Sequence, residues 1–218
     1  MKLGGFDGLF FRSCEVISKL AYVNALWFLF TVIGLGVFGI APATVALFTI
    51  NRKWMLGETD VPIFNTYWKV YRKEFLKSNL LGLALMIVGF ILYVDLAYLP
   101  TEGFVYTIIR YAIIAVSFVF LIVLLYIFPV YVHFNGNLRK YFKYALVCGL
   151  SYPHFTFMMI IAAMLLYTGL SLFPGIIPFF SFCMLAYMVM WIALQVFKRV
   201  ENAVIEKQQK VEVVKEKM

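Results

Sequence analysis

Residues 42–55 read Pro-Ala-Thr-Val-Ala-Leu-Phe-Thr-Ile-Asn-Arg-Lys-Trp-Met, apolar as far as Ile50 and basic at Arg52 and Lys53. How this segment sits decides the parity of the fold. A spanning helix needs about 20 mostly apolar residues, and residues 20–40, 80–99, 106–132 and 178–197 each supply such a run. Residues 155–173 are slightly shorter and carry no charge. With those five crossings alone, the two ends of the chain lie on opposite faces. Lys2, Arg12 and Lys19 would then be separated from the basic carboxyl-terminal segment. If 42–55 returns as a sixth, short helix, both ends share one face with the basic groups of 52–77, 139–143 and 198–217. The opposite connectors, 36–41, 100–105 and 173–177, hold no Lys or Arg, and of 19 basic residues only Arg110 stands near that face. Lys and Arg concentrate in cytoplasmic loops, so the even count is expected, with both termini cytoplasmic.

Length is the weak point of the sixth segment. A helix from Pro42 to Met55 is about 21 Å long, against a hydrocarbon core of about 30 Å. Local thinning and snorkelling of Arg52 and Lys53 would close that gap; a re-entrant hairpin is the alternative. Pro42 suits the first turn of the helix, where its missing N–H costs nothing. The small residues Ala41-Pro42-Ala43 follow too long and distant an apolar run to be read as a cleavage site.

Composition agrees. The chain of 218 residues is 64% hydrophobic and 14% charged, where a soluble domain is roughly 45–50% apolar and about 25% charged. One water-soluble core of this size cannot hide so much apolar surface, but lipid tails can cover it. The net charge of +8 then points to an anionic membrane face, not to nucleic acid, since the cations fall between apolar runs. The expected class is an all-α polytopic helix bundle of about six membrane segments over residues 1–200, with a charged cytoplasmic tail over 201–218 that extends the last helix.

Two basic amphipathic segments precede pairs of apolar runs. In 62–78, Phe64, Tyr67, Trp68, Tyr71 and Phe75 recur at helical spacing, and Lys69, Arg72, Lys73 and Lys77 take other faces. Such a helix is expected to lie in the headgroup layer, apolar side down. Residues 138–146, with Arg139, Lys140, Tyr141, Phe142 and Lys143, repeat the theme. The two match at an offset of 70: Phe64-Asn65 with Phe134-Asn135, Lys69 with Arg139, Tyr71 with Tyr141, Lys73 with Lys143, Leu76 with Leu146. Residues 6–19, with Phe10, Phe11 and Arg12, form a degenerate third copy. The expectation is a repeat of surface helix plus hairpin.

Chemistry-bearing residues are few. Gly34-Leu35-Gly36-Val37-Phe38-Gly39 spells G-x-G-x-x-G, but a dinucleotide site needs a strand before it and a soluble strand–helix–strand unit around it. At the end of an apolar run, it reads as a hairpin turn. Asp95 and Arg110 are the acidic and the basic residue inside the clear runs. The short connector makes them neighbours at similar depth, and a charge in hydrocarbon is expensive unless paired. They are expected to pair, as a hairpin staple in preference to a substrate site. Asn24, Asn79 and Gln195 are expected to join helices through hydrogen bonds. His133 and His154 find no converging ligands, and Cys14, Cys148 and Cys183 have no metal spacing. No nucleophile–base pair, phosphate loop or carboxylate pair can be assembled, so neither enzyme nor cofactor is expected.

The stretch Ala41-Pro42-Ala43-Thr44-Val45-Ala46-Leu47-Phe48, then Arg52-Lys53-Trp54, Gly57-Glu58, and Phe64 with Tyr67-Trp68-Lys69 and Phe75, resembles the YesL-like bacterial membrane proteins. Leu125-Tyr126-Ile127-Phe128-Pro129 and Ser151-Tyr152-Pro153 extend the resemblance over most of the chain. It implies a small multi-pass plasma-membrane protein of bacteria, of a kind often encoded beside carbohydrate-uptake and polysaccharide-degradation functions, with no established activity. Pro42, Thr44, Phe48 and Glu58 are the positions that match its motif. The expected role is accessory or regulatory to oligosaccharide uptake, beside importer permease subunits; the alternative is a small-solute transporter in its own right.

Overall fold

A computed structural model describes the backbone of residues 6–58, 60–100 and 102–216, with side chains from Cys14 onward except at 174, 207 and 210–216. The third surface copy, with Phe10, Phe11 and Arg12, has its side chains outside the described residues. The described chain is helical throughout: α1 (Phe6–Ile33), α2 (Val37–Met55), α3 (Ile63–Tyr98), α4 (Phe104–His133), α5 (Leu138–Ser151), α6 (Pro153–Leu172) and α7 (Ile177–Glu216), with a short 3₁₀ turn at Pro174–Ile176. Five helices are long and apolar enough to cross a membrane: Cys14–Ile33, Ile63–Tyr98, Phe104–His133, Pro153–Leu172 and Ile177–Glu206. Their outward residues are apolar. Val32 is 73% exposed, Phe90 67% and Leu165 67%, an exterior that water would not tolerate and lipid would cover. The chain is thus a polytopic membrane helix bundle.

Two elements differ from expectation, each for a local reason. The short helix α2 starts at Val37, not Pro42, and has 19 residues, or about 28 Å. Its start is set by the turn, where Leu35 (φ 59°) and Gly36 (φ 73°) reverse the chain. The Gly36 N–H donates to Thr31 O at 2.9 Å. A Cβ on Gly39 would collide with the Thr31 carbonyl, and one on Gly34 with the Gly39 backbone, so the G-x-G-x-x-G run is a packed hairpin turn. Pro42 therefore lies inside α2, where it has no N–H to give the carbonyl of Phe38.

The second difference is α3. Residues 62–78 and 80–99 were expected as a surface helix and a span; they form one helix of 36 residues. The tyrosines of its aromatic side face protein instead of lipid, with Tyr67 and Tyr71 buried, while Phe64 and Trp68 stay 48% and 40% exposed. Beyond Glu201, α7 continues without a break as far as Glu216, the extension of the last helix expected from the sequence.

The chain divides into two compact units. One holds the chain up to Val88 together with Ile161–Met188; its core is the α1–α2 hairpin, with Val23, Leu26, Phe30, Ala43, Leu47 and Ile50 buried. The other holds Gly89–Ile160 and the chain from Val189; it is centred on α4, α5 and α7, with Tyr126, Ile127, Val130, Ala145, Val196 and Phe197 buried.

Candidate functional site

The motif segment 41–48 lies in the core of the first unit. Ala41, Pro42, Ala43, Val45, Ala46, Leu47 and Phe48 are buried, and polar groups of the neighbouring helices grip the backbone here. Tyr67 donates its hydroxyl to Ala43 O at 2.8 Å. Tyr71 donates to Phe30 O at 3.0 Å. The Trp27 indole N–H donates to Thr44 Oγ1 at 3.1 Å, and Thr44 donates in turn to Ile40 O at 2.7 Å. The Phe30 ring packs 5.1 Å from Tyr67 and 4.9 Å from Tyr71. Aromatic hydroxyls need partners once buried, and helix carbonyls, which keep a second lone pair, are the acceptors on hand.

A second clamp seats the start of α7 in the same unit. Asn24 donates from Nδ2 to Pro178 O at 2.6 Å and accepts from the Cys183 N–H through Oδ1 at 3.0 Å. Its amide thus spans five residues of the α7 backbone. Asn51 reaches the same turn, with Nδ2 3.5 Å from Cys183 O and Oδ1 3.9 Å from Cys183 Sγ. Both asparagines are fully buried. Beside them Trp27 stacks on Phe182 at 3.8 Å. Polar side chains that bond across helices hold membrane bundles together, since lipid offers no alternative partner.

The structure brings Pro42, Thr44 and Phe48 together in this core. Glu58 stands apart, exposed after α2, where its carboxylate pairs with Lys53 Nζ at 2.5 Å. It borders an open polar cleft of about 350 Å³ lined also by Asp60, Pro62 and Thr66. Asp95 and Arg110 do not pair. Arg110 donates from Nη2 to Leu99 O at 2.8 Å, beyond the last residue of α3, and Asp95 is exposed. The terminal carbonyls of a helix lack internal partners and carry its negative dipole end, so they compete with a carboxylate one turn back for the guanidinium. Lys69, Arg72 and Lys73 are exposed on α3, with Arg72 5.4 Å over the Trp68 ring. Arg139, Lys140 and Lys143 are exposed on α5.

Asn24 bonds across helices as expected, whereas Asn79 donates to Phe75 O of its own helix at 2.8 Å. Sequence reasoning missed Asn51, whose place beside Arg52 read as a helix end. The usable signal was its spacing from Thr44 and Phe48, four then three residues, which puts all three on one face. Trp27 was not singled out, and Tyr67 and Tyr71 were read as part of the apolar side of a surface helix. In the second unit, His133 Nε2 lies 3.2 Å from Glu201 Oε1, and the His133 ring stacks on Phe197 at 4.7 Å. Among the described residues no group of three or more His, Cys, Asp or Glu could hold a metal ion.

The comparisons with known proteins fall on this architecture. A family model described as "Protein of unknown function, DUF624" matches residues 20–96, from α1 to near the end of α3. The chain is 42% identical over 210 residues to the uncharacterized protein YteU of Bacillus subtilis (strain 168), covering 96% of this chain and 95% of that one. It is 37% identical to the uncharacterized protein YesV of the same organism, over 92% and 97% of the two chains. It is 30% identical to the uncharacterized protein YesL, also of that organism, over 87% and 90%. No solved structure matches.

Proposed function

Because the chain belongs to the DUF624 family of YesL-like proteins of unknown function, we propose that it is a non-catalytic accessory or regulatory protein of the bacterial plasma membrane. In this reading it works beside the permease subunits of an oligosaccharide importer. The observation that carries the accessory part is how the buried polar groups are used. Asn24, Asn51, Tyr67 and Trp27 each hold another helix. A solute path needs polar groups turned toward its cargo; these four are spent on packing. The link to carbohydrate uptake rests on the resemblance alone.

The same reading places both termini and the basic connectors 52–77, 139–143 and 198–217 on the cytoplasmic face, against anionic lipid. Uptake of labelled oligosaccharide in a clean deletion, with crosslinking of the native protein in its host membrane, tests the proposal. Uptake should fall several-fold and permease subunits should be the crosslinked neighbours. Normal uptake would remove the importer role. Solute flux through liposomes holding the protein alone would replace it with transport in its own right. Asp60→Cys and Lys140→Cys should stay unlabelled by impermeant reagents on intact cells; labelling of either overturns the orientation.

A further inference from the structure

The leading half of α3 is turned the opposite way from a helix that floats on lipid. Tyr67 and Tyr71 donate to backbone carbonyls of α2 and α1, and that fixes which side looks outward. The outward side carries Trp68, Lys69, Arg72 and Lys73, all exposed. Lys69 and Arg72 stand three residues apart, neighbours on one turn. The Arg72 guanidinium rests 5.4 Å over the Trp68 ring, which holds it on that side. Neither cation enters a salt bridge among the described residues. Further along α3 the same stripe turns apolar. Leu76, Leu80, Leu83 and Ile87 follow Arg72 at steps of three or four residues, all exposed, Leu76 by 83%. Residues 78–94 hold no charge, so the apolar end of the stripe lies in hydrocarbon and the cations lie at its edge. From Leu76 to Ile87 the helix rises about 16 Å, half of a core of about 30 Å and thus the depth of one leaflet.

We propose that this stripe binds one anionic phospholipid, with its phosphate on Lys69 and Arg72 and an acyl chain along Leu76, Leu80, Leu83 and Ile87. Arg meets a phosphate through two parallel N–H bonds, and Trp68 suits the headgroup layer. The order along the helix selects lipid over a soluble anion: cations first, then apolar side chains that run on into the bilayer. The charge selects an anionic headgroup over a zwitterionic one, whose own ammonium would sit among Lys69, Arg72 and Lys73. Glu74 is the only Asp or Glu between residues 61 and 94, and it already faces Lys73 at 4.0 Å. The site rests on the membrane placement of α3 and not on the importer role. It goes beyond the attraction of a basic connector to a charged leaflet, since it assigns one lipid to one turn of helix.

The experiment uses the full chain in nanodiscs of equal parts phosphatidylglycerol and phosphatidylcholine. A benzophenone amino acid replaces Leu76, a side chain exposed enough to be exchanged without disturbing the core, and the lipid attached on irradiation is identified by mass. Phosphatidylglycerol adducts should exceed phosphatidylcholine adducts about tenfold, in line with two cations at the headgroup. The same probe in place of Leu165, on a helix without Lys or Arg, should capture the two lipids equally. Lys69→Gln and Arg72→Gln should each lower the ratio at position 76 about threefold, and together they should bring it to the value at position 165. Should the double variant fail to fold, the single variants give the same answer. Equal capture at position 76 by the otherwise native chain, the same preference at position 165, or a preference that the variants keep would each overturn the proposal. Capture of protein at position 76 in host membranes would do so too. No lipid at either position would overturn it together with the membrane placement of α3.

Discussion

Residues 63–78 and 138–151 begin as near copies and finish as different objects. Each carries a buried tyrosine, Tyr71 and Tyr141, and seven residues later a small buried side chain, Ser78 and Cys148. At the same offset Leu83 stands where the other copy has Pro153. Leu83 lets the helix continue, and the first copy becomes the leading half of α3. Pro153 disfavours helical backbone at the residue before it, and Tyr152 accordingly sits at φ −132°, ψ 69°, closing α5 after 14 residues. One residue, not the amphipathic pattern, decides whether a basic aromatic helix is part of a rod or a separate arm. The tyrosines diverge in step. Tyr71 grips Phe30 O on another helix, while the Tyr141 hydroxyl accepts from Gly136 N–H in its own approach loop at 3.1 Å.

The harshest way to break the comparison is to give the first copy the second copy's residue. Leu83→Pro should cost about 3 kcal/mol or more, the usual effect of proline inside a helix. It should abolish a monodisperse peak in detergent, whereas Pro153→Leu should leave one. Survival of Leu83→Pro with an unchanged melting temperature would mean that α3 is not one cooperative rod.

Next comes packing. A Cβ on Gly149 would drive into the Ile122 side chain of α4, while one on Gly82 would meet only Ala41 Cβ at 2.8 Å. Gly149→Val should therefore destabilise by about 1–3 kcal/mol, as overpacking does, and Gly82→Ala by less. The reverse order, measured by thermal unfolding in detergent, would show that α5 rests on lipid and not on α4.

Smaller still is the loss of a hydroxyl. Tyr71→Phe should cost about 1 kcal/mol, one net hydrogen bond, and Tyr141→Phe roughly half that, because its bond is local and half open to solvent.

The last test reads local opening instead of overall stability. Burial pushes the Cys148 thiol up to about 11, and only the thiolate is nucleophilic. In a Cys14→Ser, Cys183→Ser background, alkylation of Cys148 should be slow at pH 8 and rise about tenfold per pH unit until about pH 11. A rate that levels off near pH 9 would mean that α5 lifts away from the core.

The sequence by itself determined the class of this protein. Long uncharged runs such as 111–132 leave no choice but lipid, since each backbone group must bond within its own helix there. The hairpin at Gly34–Gly39 was also legible, because glycine pattern and context agreed. Glu58 was found as a motif position but not as the partner of Lys53, and the Asp95–Arg110 pair was drawn where Arg110 instead meets the end of α3. Only the tertiary structure decided which way the aromatic stripe of α3 faces, that Asn24 and Asn51 meet at the first turns of α7, and that α2 begins at Val37. Periodicity marks an apolar face but cannot say whether lipid or another helix will cover it. That choice is made by close contacts and hydrogen bonds between residues far apart in the chain.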